Sequence, residues 1–226
     1  MPDNFDALAA CALFEGVSRE DRAAMLQCMQ ARAVDVAKGE AVFRAEGPAE
    51  YVGILLSGGV RVFREDFDGH RTIQAAVRPG DLFGETFACA GLSRLPVTAE
   101  ADRPSRVLLI RMKRLIETCP SACAFHNRVV MNLLKAMAAK NLLLNQKLEI
   151  TSRRTTREKL LAYLSAQARA AGSDSFVIPF DRQGLADYLG VDRSALSAEI
   201  GKLRREGVIE SERSAFTLLR HCGWDL

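Results

Sequence analysis

The spacing of hydrophobic positions changes twice along the chain. From 5 to 31 the apolar residues recur at helical intervals: Leu8, Ala9, Ala12 and Leu13, then Met25, Leu26 and Met29, with Ser18 placed to cap the second segment. From about Ala33 the interval shortens to alternation, in runs at 34–36, 41–44, 51–56, 60–64, 72–77 and 107–110. Turn residues separate them at Lys38-Gly39, Glu46-Gly47-Pro48, Ser57-Gly58-Gly59, Asp68-Gly69 and Arg78-Pro79-Gly80-Asp81. Short, evenly spaced strands with this punctuation predict an all-β barrel or sandwich. After Pro120 the helical interval returns and neither proline nor glycine occurs up to Ile150. A heptad fits there, with Cys123, Val130, Met137 and Leu144 at d and Asn127, Leu134, Asn141 and Leu148 at a. That is the seam of a coiled coil, and asparagine at a favours a parallel two-stranded register. A single long core helix is the alternative. Val129, Leu133 and Leu143, off the seam, predict a second buried face on the same helix.

The last third alternates again between helix and strand. Leu160, Leu161, Tyr163 and Leu164 mark an amphipathic helix ending near Gly172, and 176–180 is a short strand. Two short helices follow, joined at Gly190, where only glycine enters the left-handed region cheaply. Leu185 and Leu189 anchor the first, Asp192 can cap the second, and Leu196, Ile200 and Leu203 give the second one apolar face. Its opposite arc holds Arg193, Ser194, Ser197, Ala198, Gly201, Lys202, Arg204 and Arg205. Small, hydroxylated and basic side chains suit a helix in a DNA major groove. Ordinary packing of two amphipathic helices is the competing explanation of this window alone. A hairpin over 208–210 and 215–219 completes the order helix, strand, helix-turn-helix, hairpin, which is a winged helix. Arg213 and Ser214 lie at the wing tip, within reach of a phosphate.

Composition narrows the picture. A chain of 226 residues suits two modest domains. The formal charge of +3 is small, so its distribution matters more than its size. The cations concentrate at Arg153, Arg154, Arg157 and Lys159, then at Lys202, Arg204 and Arg205. No run is long and apolar enough for a membrane span, and the N-terminus carries Asp3, Asp6 and Glu15 without a basic secretory segment. Six scattered cysteines have no disulfide spacing, so reduced thiols and a soluble cytoplasmic protein are expected. No nucleophile with a base in motif context occurs, so an enzyme is not expected.

The whole resembles the Crp–Fnr family of bacterial transcription regulators. The residues that carry the resemblance are Gly39-Glu40, Glu46-Gly47, Leu56-Ser57-Gly58, Val60-Arg61-Val62, Pro79-Gly80-Asp81-Leu82-Phe83-Gly84-Glu85, Leu185-Ala186, Leu189-Gly190 and Arg193-Ser194. The resemblance implies an α+β chain: helical lead-in and cyclic-nucleotide-binding-type β-roll sensor over 1–119, dimerisation helix over 120–150, winged helix-turn-helix over 151–226. It implies a homodimer on a two-fold-symmetric double-stranded DNA operator, with RNA polymerase as a further partner and an effector sensed in the roll. Arg193 matches the family's base-reading arginine. The next position, often glutamate, is Ser194 here, and an arginine one turn later is Ala198, so a distinct operator is expected. Arg193, Ser194 and Ser197 are the candidate base contacts; Arg182, Gln183, Lys202 and Arg205 are the candidate phosphate contacts.

The sensor departs from the family further. Gly84-Glu85-Thr86 begins what resembles its phosphate-binding cassette, where a glycine turn entering a helix offers backbone N–H groups to an anion. Cyclic-nucleotide binders follow, about ten residues on, with arginine and then serine or threonine. Those places hold Leu95 and Pro96, with Arg94 one residue off and Val97 beyond. The candidate effector pocket is therefore Gly84, Glu85, Thr86, Arg94, Leu95, Pro96 and Val97, and a small molecule other than cyclic AMP is expected. Cys11 and Cys28 are too few for an iron–sulfur cluster. Cys119, Cys123 and His126 fall at i, i+4, i+7 and bring soft ligands to one side, which offers an alternative regulator sensing metal, haem or redox state. Plain packing is their other explanation. A cyclic-nucleotide-like module acting through protein contacts is the alternative to DNA binding.

Overall fold

The computed structural model describes residues 5–117 and 124–219. Packing divides the chain into two compact units, Met1–Ala139 and Lys140–Leu226. The first begins with helix α1 (Phe5–Ala10), a 3-10 turn (Ala12–Phe14) and helix α2 (Arg19–Cys28). Ser18 caps α2 by accepting the Asp21 N–H at 3.1 Å. An antiparallel sheet follows, with β1 (Arg32–Val36), β2 (Ala41–Phe43), β3 (Tyr51–Glu65), β4 (Arg71–Val77), β5 (Leu82–Phe83) and β6 (Thr98–Arg111). Its order is β1-β6-β3-β4, with β2 added on β6 and β5 on β3. Successive side chains on β3 bury on opposite faces. Leu55 joins Val36, Val60, Val77 and Phe83, while Ile54 and Leu56 join Leu8, Leu13 and Met25 from the N-terminal helices. Burial on both faces is why 51–56 is a continuous apolar run.

Two strand expectations change. Ser57-Gly58-Gly59 is a bulge inside β3, where its register against β6 shifts, and not a turn between strands. Gly58 has φ 92°, and a Cβ there would come 2.5 Å from the Pro104 carbonyl oxygen, so only glycine admits that approach. The Gly59 N–H donates to Ser105 Oγ across the bulge at 3.0 Å. The strand expected at 107–110 begins at Thr98, because Ala99 and Ala101 occupy inward positions with Glu100 between them. Alanine is a faint apolar signal, and Pro104 reads as a break.

Helix α3 (Glu85–Cys89) follows β5, helix α4 (Met112–Ile116) follows β6, and helix α5 spans Ala124–Thr151. Val129 and Leu133 are buried in the core of the first unit, as expected. Between them, Asn132 Nδ2 donates to the carbonyls of Leu13 (3.1 Å) and Glu15 (2.9 Å). One turn earlier, Arg128 Nη1 donates to the Gly16 carbonyl at 2.5 Å. Leu143, expected on the same buried face, is instead 65% exposed. It lies beyond Met137, the last α5 residue packed on that core.

The second unit contains helix α6 (Thr156–Ala171), β7 (Ser175–Val177), helix α7 (Arg182–Leu189), helix α8 (Arg193–Arg205), β8 (Ile209–Glu212) and β9 (Ala215–Leu218). The strands pair in the order β7-β9-β8. A capping box holds the start of α6: Glu158 N–H donates to Thr155 Oγ1 and Thr155 N–H to Glu158 Oε2, each at 3.1 Å. Gly172, at φ 62°, ends it. Leu160, Leu164, Leu185, Leu189, Leu196 and Leu203 form the centre of one core. This is the winged helix expected from the order of elements.

Candidate nucleic-acid interface

Local signals place α7 and α8. Asp181 caps α7 by accepting the Gly184 N–H at 2.7 Å, and Gly190 (φ 62°, ψ 49°) turns the chain at its end. Asp192 caps α8, accepting the N–H groups of Ser194 (2.8 Å) and Ala195 (3.1 Å). The Ser194 hydroxyl, which donates to the same carboxylate, and those two N–H groups hold the Asp192 carboxyl below its ordinary range. Leu196, Ile200 and Leu203 bury one face of α8, which turns Arg193, Ser194, Ser197, Lys202 and Arg205 outward into solvent. No carboxylate of the described residues lies within 4 Å of those cations or of Arg204. Ser197 Oγ donates to the Arg193 carbonyl at 2.9 Å. Both serine hydroxyl protons are thus engaged within the helix, and their lone pairs face outward as acceptors.

Glu199 of α8 and Glu206, the residue just past its end, lie on one flank. Glu199 and Glu206, seven residues apart, both pair with Arg157 of α6, at 3.2 Å and 2.7 Å. The hydrogen bond from Arg157 comes first among the causes that lower the Glu206 pKa, and it raises that of Arg157 in turn. Lys159, also on α6, donates to the Leu189 carbonyl at the end of α7 at 3.3 Å. Neither contact is legible in the sequence, although a spacing of seven already puts both glutamates on one side of a helix.

Other candidates are more occupied. Gln183 is exposed and its amide donates to Asp187 at 2.8 Å. Arg182 is half-buried: its guanidinium stands 5.1 Å from the Phe216 ring centroid and donates to Ser211 Oγ at 3.4 Å. Burial, and then the charge of Arg204, push its pKa down. At the wing tip Arg213 is exposed, and the Ser214 hydroxyl donates inward to the Phe180 carbonyl at 3.0 Å.

In the first unit, Gly84 (φ 80°) starts α3 in the left-handed region, with Glu85 buried and Thr86 exposed. A Cβ on Gly84 would stand 2.9 Å from the Phe43 ring. Leu95 and Val97 are buried and Pro96 is half-buried. Arg94 is exposed and pairs with Glu46 at 3.4 Å, beside the reciprocal backbone bonds of Leu95 with Glu46 and Gly47. The segment 84–97 thus contains one buried carboxylate and two buried apolar side chains, with its arginine outside.

Along α5, Asn127, Leu134, Asn141, Leu144 and Leu148 are exposed, whereas Val130 and Met137 are half-buried. Cys119 and Cys123 lie outside the described residues. His126 is buried, and its Nε2 donates to the Leu115 carbonyl at 2.9 Å. Cys11 is in the core of the first unit and Cys28 is exposed. No helix of the described residues is long and apolar enough to cross a membrane.

Comparison with known proteins agrees with this geometry. A family model described as the cyclic nucleotide-binding domain matches residues 33–121, and one described as the Crp-like helix-turn-helix domain matches residues 158–221. The chain is 30% identical over 181 residues to the transcriptional activatory protein AadR of Rhodopseudomonas palustris, covering 75% of this chain and 70% of that protein. It is 27% identical to the nitrogen fixation regulation protein FixK of Azorhizobium caulinodans, over 91% of this chain and 83% of that protein. The c-di-GMP responsive global regulator CLP of Xanthomonas campestris shares the fold, with a TM-score of 0.54 at 16% identity, over 88% of this chain and 99% of that chain.

Proposed function

Since this chain belongs to the Crp–Fnr family of DNA-binding transcription regulators, we propose that it acts as a homodimer on a two-fold-symmetric operator, with α8 of each copy in a major groove. One observation carries the proposal: α8 is capped, buried on its apolar face, and presents Arg193, Ser194, Ser197, Lys202 and Arg205 outward without acidic partners. Arg193 donates two hydrogen bonds to guanine O6 and N7, and Ser194 and Ser197 contact neighbouring base edges. Gln183, Lys202 and Arg205 hold phosphates, and Arg182 reaches one from beside Ser211.

The parts divide as sensor over 1–119, dimerisation helix over 120–150 and DNA-binding domain over 151–226. The dimer seam uses Asn127, Val130, Leu134, Met137, Asn141, Leu144 and Leu148 together with Cys123. The exposure of its leucines and asparagines in the single chain supports this, because exposed leucines at a and d want a twin. A small-molecule effector acts on the sensor by binding one of two states better than the other. Cyclic AMP does not fit well: the phosphate arginine is replaced by buried Leu95, and Arg94 is engaged with Glu46. Metal or haem sensing through Cys119, Cys123 and His126 is the weaker reading, because His126 is buried with Nε2 spent on Leu115. The regulator works in the cytoplasm, contacts RNA polymerase from its operator, and has no catalytic step.

The test is DNA selection from a randomised duplex pool, followed by affinity measurement as salt is raised. A specific complex whose affinity falls steeply with salt is expected. Arg193→Ala is expected to remove about 1–3 kcal/mol of discrimination per half-site and to leave non-specific affinity nearly unchanged. Equal loss of both would remove Arg193 from the base-reading set.

A further inference from the structure

The apolar face of α8 fixes which side of the helix is buried. Contacts of Leu196, Ile200 and Leu203 with the core are non-directional. A helix with side chains is about 10–12 Å across, so a roll of about 20° moves a side-chain tip by about 2 Å. That exceeds the span of distances over which a hydrogen bond survives. Something directional must set the roll if Arg193 is to meet one base pair and not its neighbour.

Arg157 is placed for this. Its Nη1 lies 3.2 Å from Glu199 and its Nη2 2.7 Å from Glu206. Seven residues advance an α-helix by about 10.5 Å, so one guanidinium gathers carboxylates from two points two turns apart on the same flank. Charge-assisted hydrogen bonds of this kind are short and directional. The base on which Arg157 stands is itself fixed, since the capping box holds the first turn of α6. Arg157 is 33% exposed, Glu199 18% and Glu206 38%, so water screens the Glu199 arm least. Lys159 holds the other helix of the pair from the same stretch of α6.

We propose that Arg157 is the positioning residue of the DNA-reading helix: by pairing with Glu199 and Glu206 it sets the rotation of α8 about its own axis and so aims Arg193, Ser194 and Ser197. The proposal rests on α8 being the DNA-contacting helix. The fork also offsets one of two negative charges on a helix that approaches phosphates, and this second effect has to be separated from the first.

The separation comes from two variants of the full-length protein, Arg157→Met and Arg157→Met/Glu199→Gln/Glu206→Gln. The probes are a duplex enriched by the wild type from a random pool and a scrambled duplex of the same length. Both dissociation constants are read by fluorescence anisotropy at one salt concentration, with circular dichroism confirming that each variant is folded. In Arg157→Met the ratio of specific to non-specific affinity is expected to fall about tenfold, within the range that one bidentate base contact contributes. In the triple variant the unpaired carboxylates are gone, so non-specific affinity returns, but the ratio stays low. Loss of folded protein alone would weaken both affinities together and leave their ratio unmoved. An unchanged ratio in Arg157→Met, or a ratio restored in the triple variant, overturns the proposal. If Arg157→Met does not fold, Glu199→Ala/Glu206→Ala keeps the arginine stem, removes both acceptors and carries the same expectation for the ratio. A wild type that enriches no sequence removes the premise about α8, and the proposal falls with it, by an outcome that does not involve Arg157 at all.

Discussion

The segment 84–97 and helix α8 start alike and end differently. Each is entered through a corner with a glycine in the left-handed region, Gly84 at φ 80° and Gly190 at φ 62°. Beyond the corner, 84–97 turns Leu95 and Val97 into the interior and sends Arg94 out to Glu46. Helix α8 does the reverse, burying its aliphatic face and leaving Arg193, Lys202 and Arg205 in solvent. A glycine corner is a property of the backbone and survives whatever stands opposite it. Whether the corner serves an anion depends on the side chains that face it. Here the Phe43 ring and the Tyr51 carbonyl stand beside Gly84, whereas beyond Gly190 Asp192 accepts the first helix N–H groups and Arg193 stands exposed next to it.

The largest effect should come from forcing the first site to resemble the second. Leu95→Arg puts a cation at a position that is 4% exposed. It removes buried aliphatic packing, which in comparable cores costs about 2–5 kcal/mol, and adds the desolvation of a guanidinium. A loss of about 3 kcal/mol or more in chemical denaturation is expected, with no rise in Tm on adding cyclic AMP. Retained stability together with a nucleotide-dependent rise in Tm would mean that the cassette is one side chain away from a phosphate site, with Glu85 able to pair with the new cation.

Much of this contrast is legible in the sequence wherever the signal is local. Ser18, Gly172, Gly190 and Asp192 each act within one helical turn, and each does what its residue type implies. The length of α5 and the hairpin of the wing follow from period alone. Signals that depend on distant partners are lost. Gly58-Gly59 looks like a turn until Ser105, 46 residues away from Gly59, is placed against it. Arg157 meets Glu199 and Glu206 across 42 and 49 residues, and nothing in either segment announces the other. Ser214 looks free at a wing tip until Phe180 is seen to hold its hydroxyl. Leu143 fits a buried stripe by spacing, but spacing does not say where the surface it would pack on ends.

An intermediate effect is expected at the cap of α8. Asp192→Ala removes the acceptor of two backbone N–H groups and frees the Ser194 hydroxyl. The Tm of the winged-helix unit should fall by about 5 °C, as for loss of an N-cap in a unit of this size. The same carboxylate gives a pH signature. Its pKa in the folded chain is held below 3.8, so its stabilisation is present above that value and is lost as pH falls through the lower, folded value. In Asp192→Ala this part of the acid unfolding should be absent. If the variant and the wild type lose stability in parallel through that window, the cap contributes nothing to α8.

The smallest effect should be at Arg94, and its smallness is informative. Its ion pair with Glu46 joins side chains that are 69% and 74% exposed. Pairs of this kind contribute between nothing and about 1 kcal/mol, and salt screens them. Arg94→Ala should therefore shift the denaturation midpoint only slightly, and less at high ionic strength than at low. It should leave the affinity for operator DNA unchanged, whereas Arg193→Ala should move that affinity and leave stability unchanged. The two arginines thus separate by measurement. A large loss of stability at Arg94, insensitive to salt, would mean that its guanidinium is held from inside the sensor and that 84–97 is closer to an anion site than its buried leucine allows.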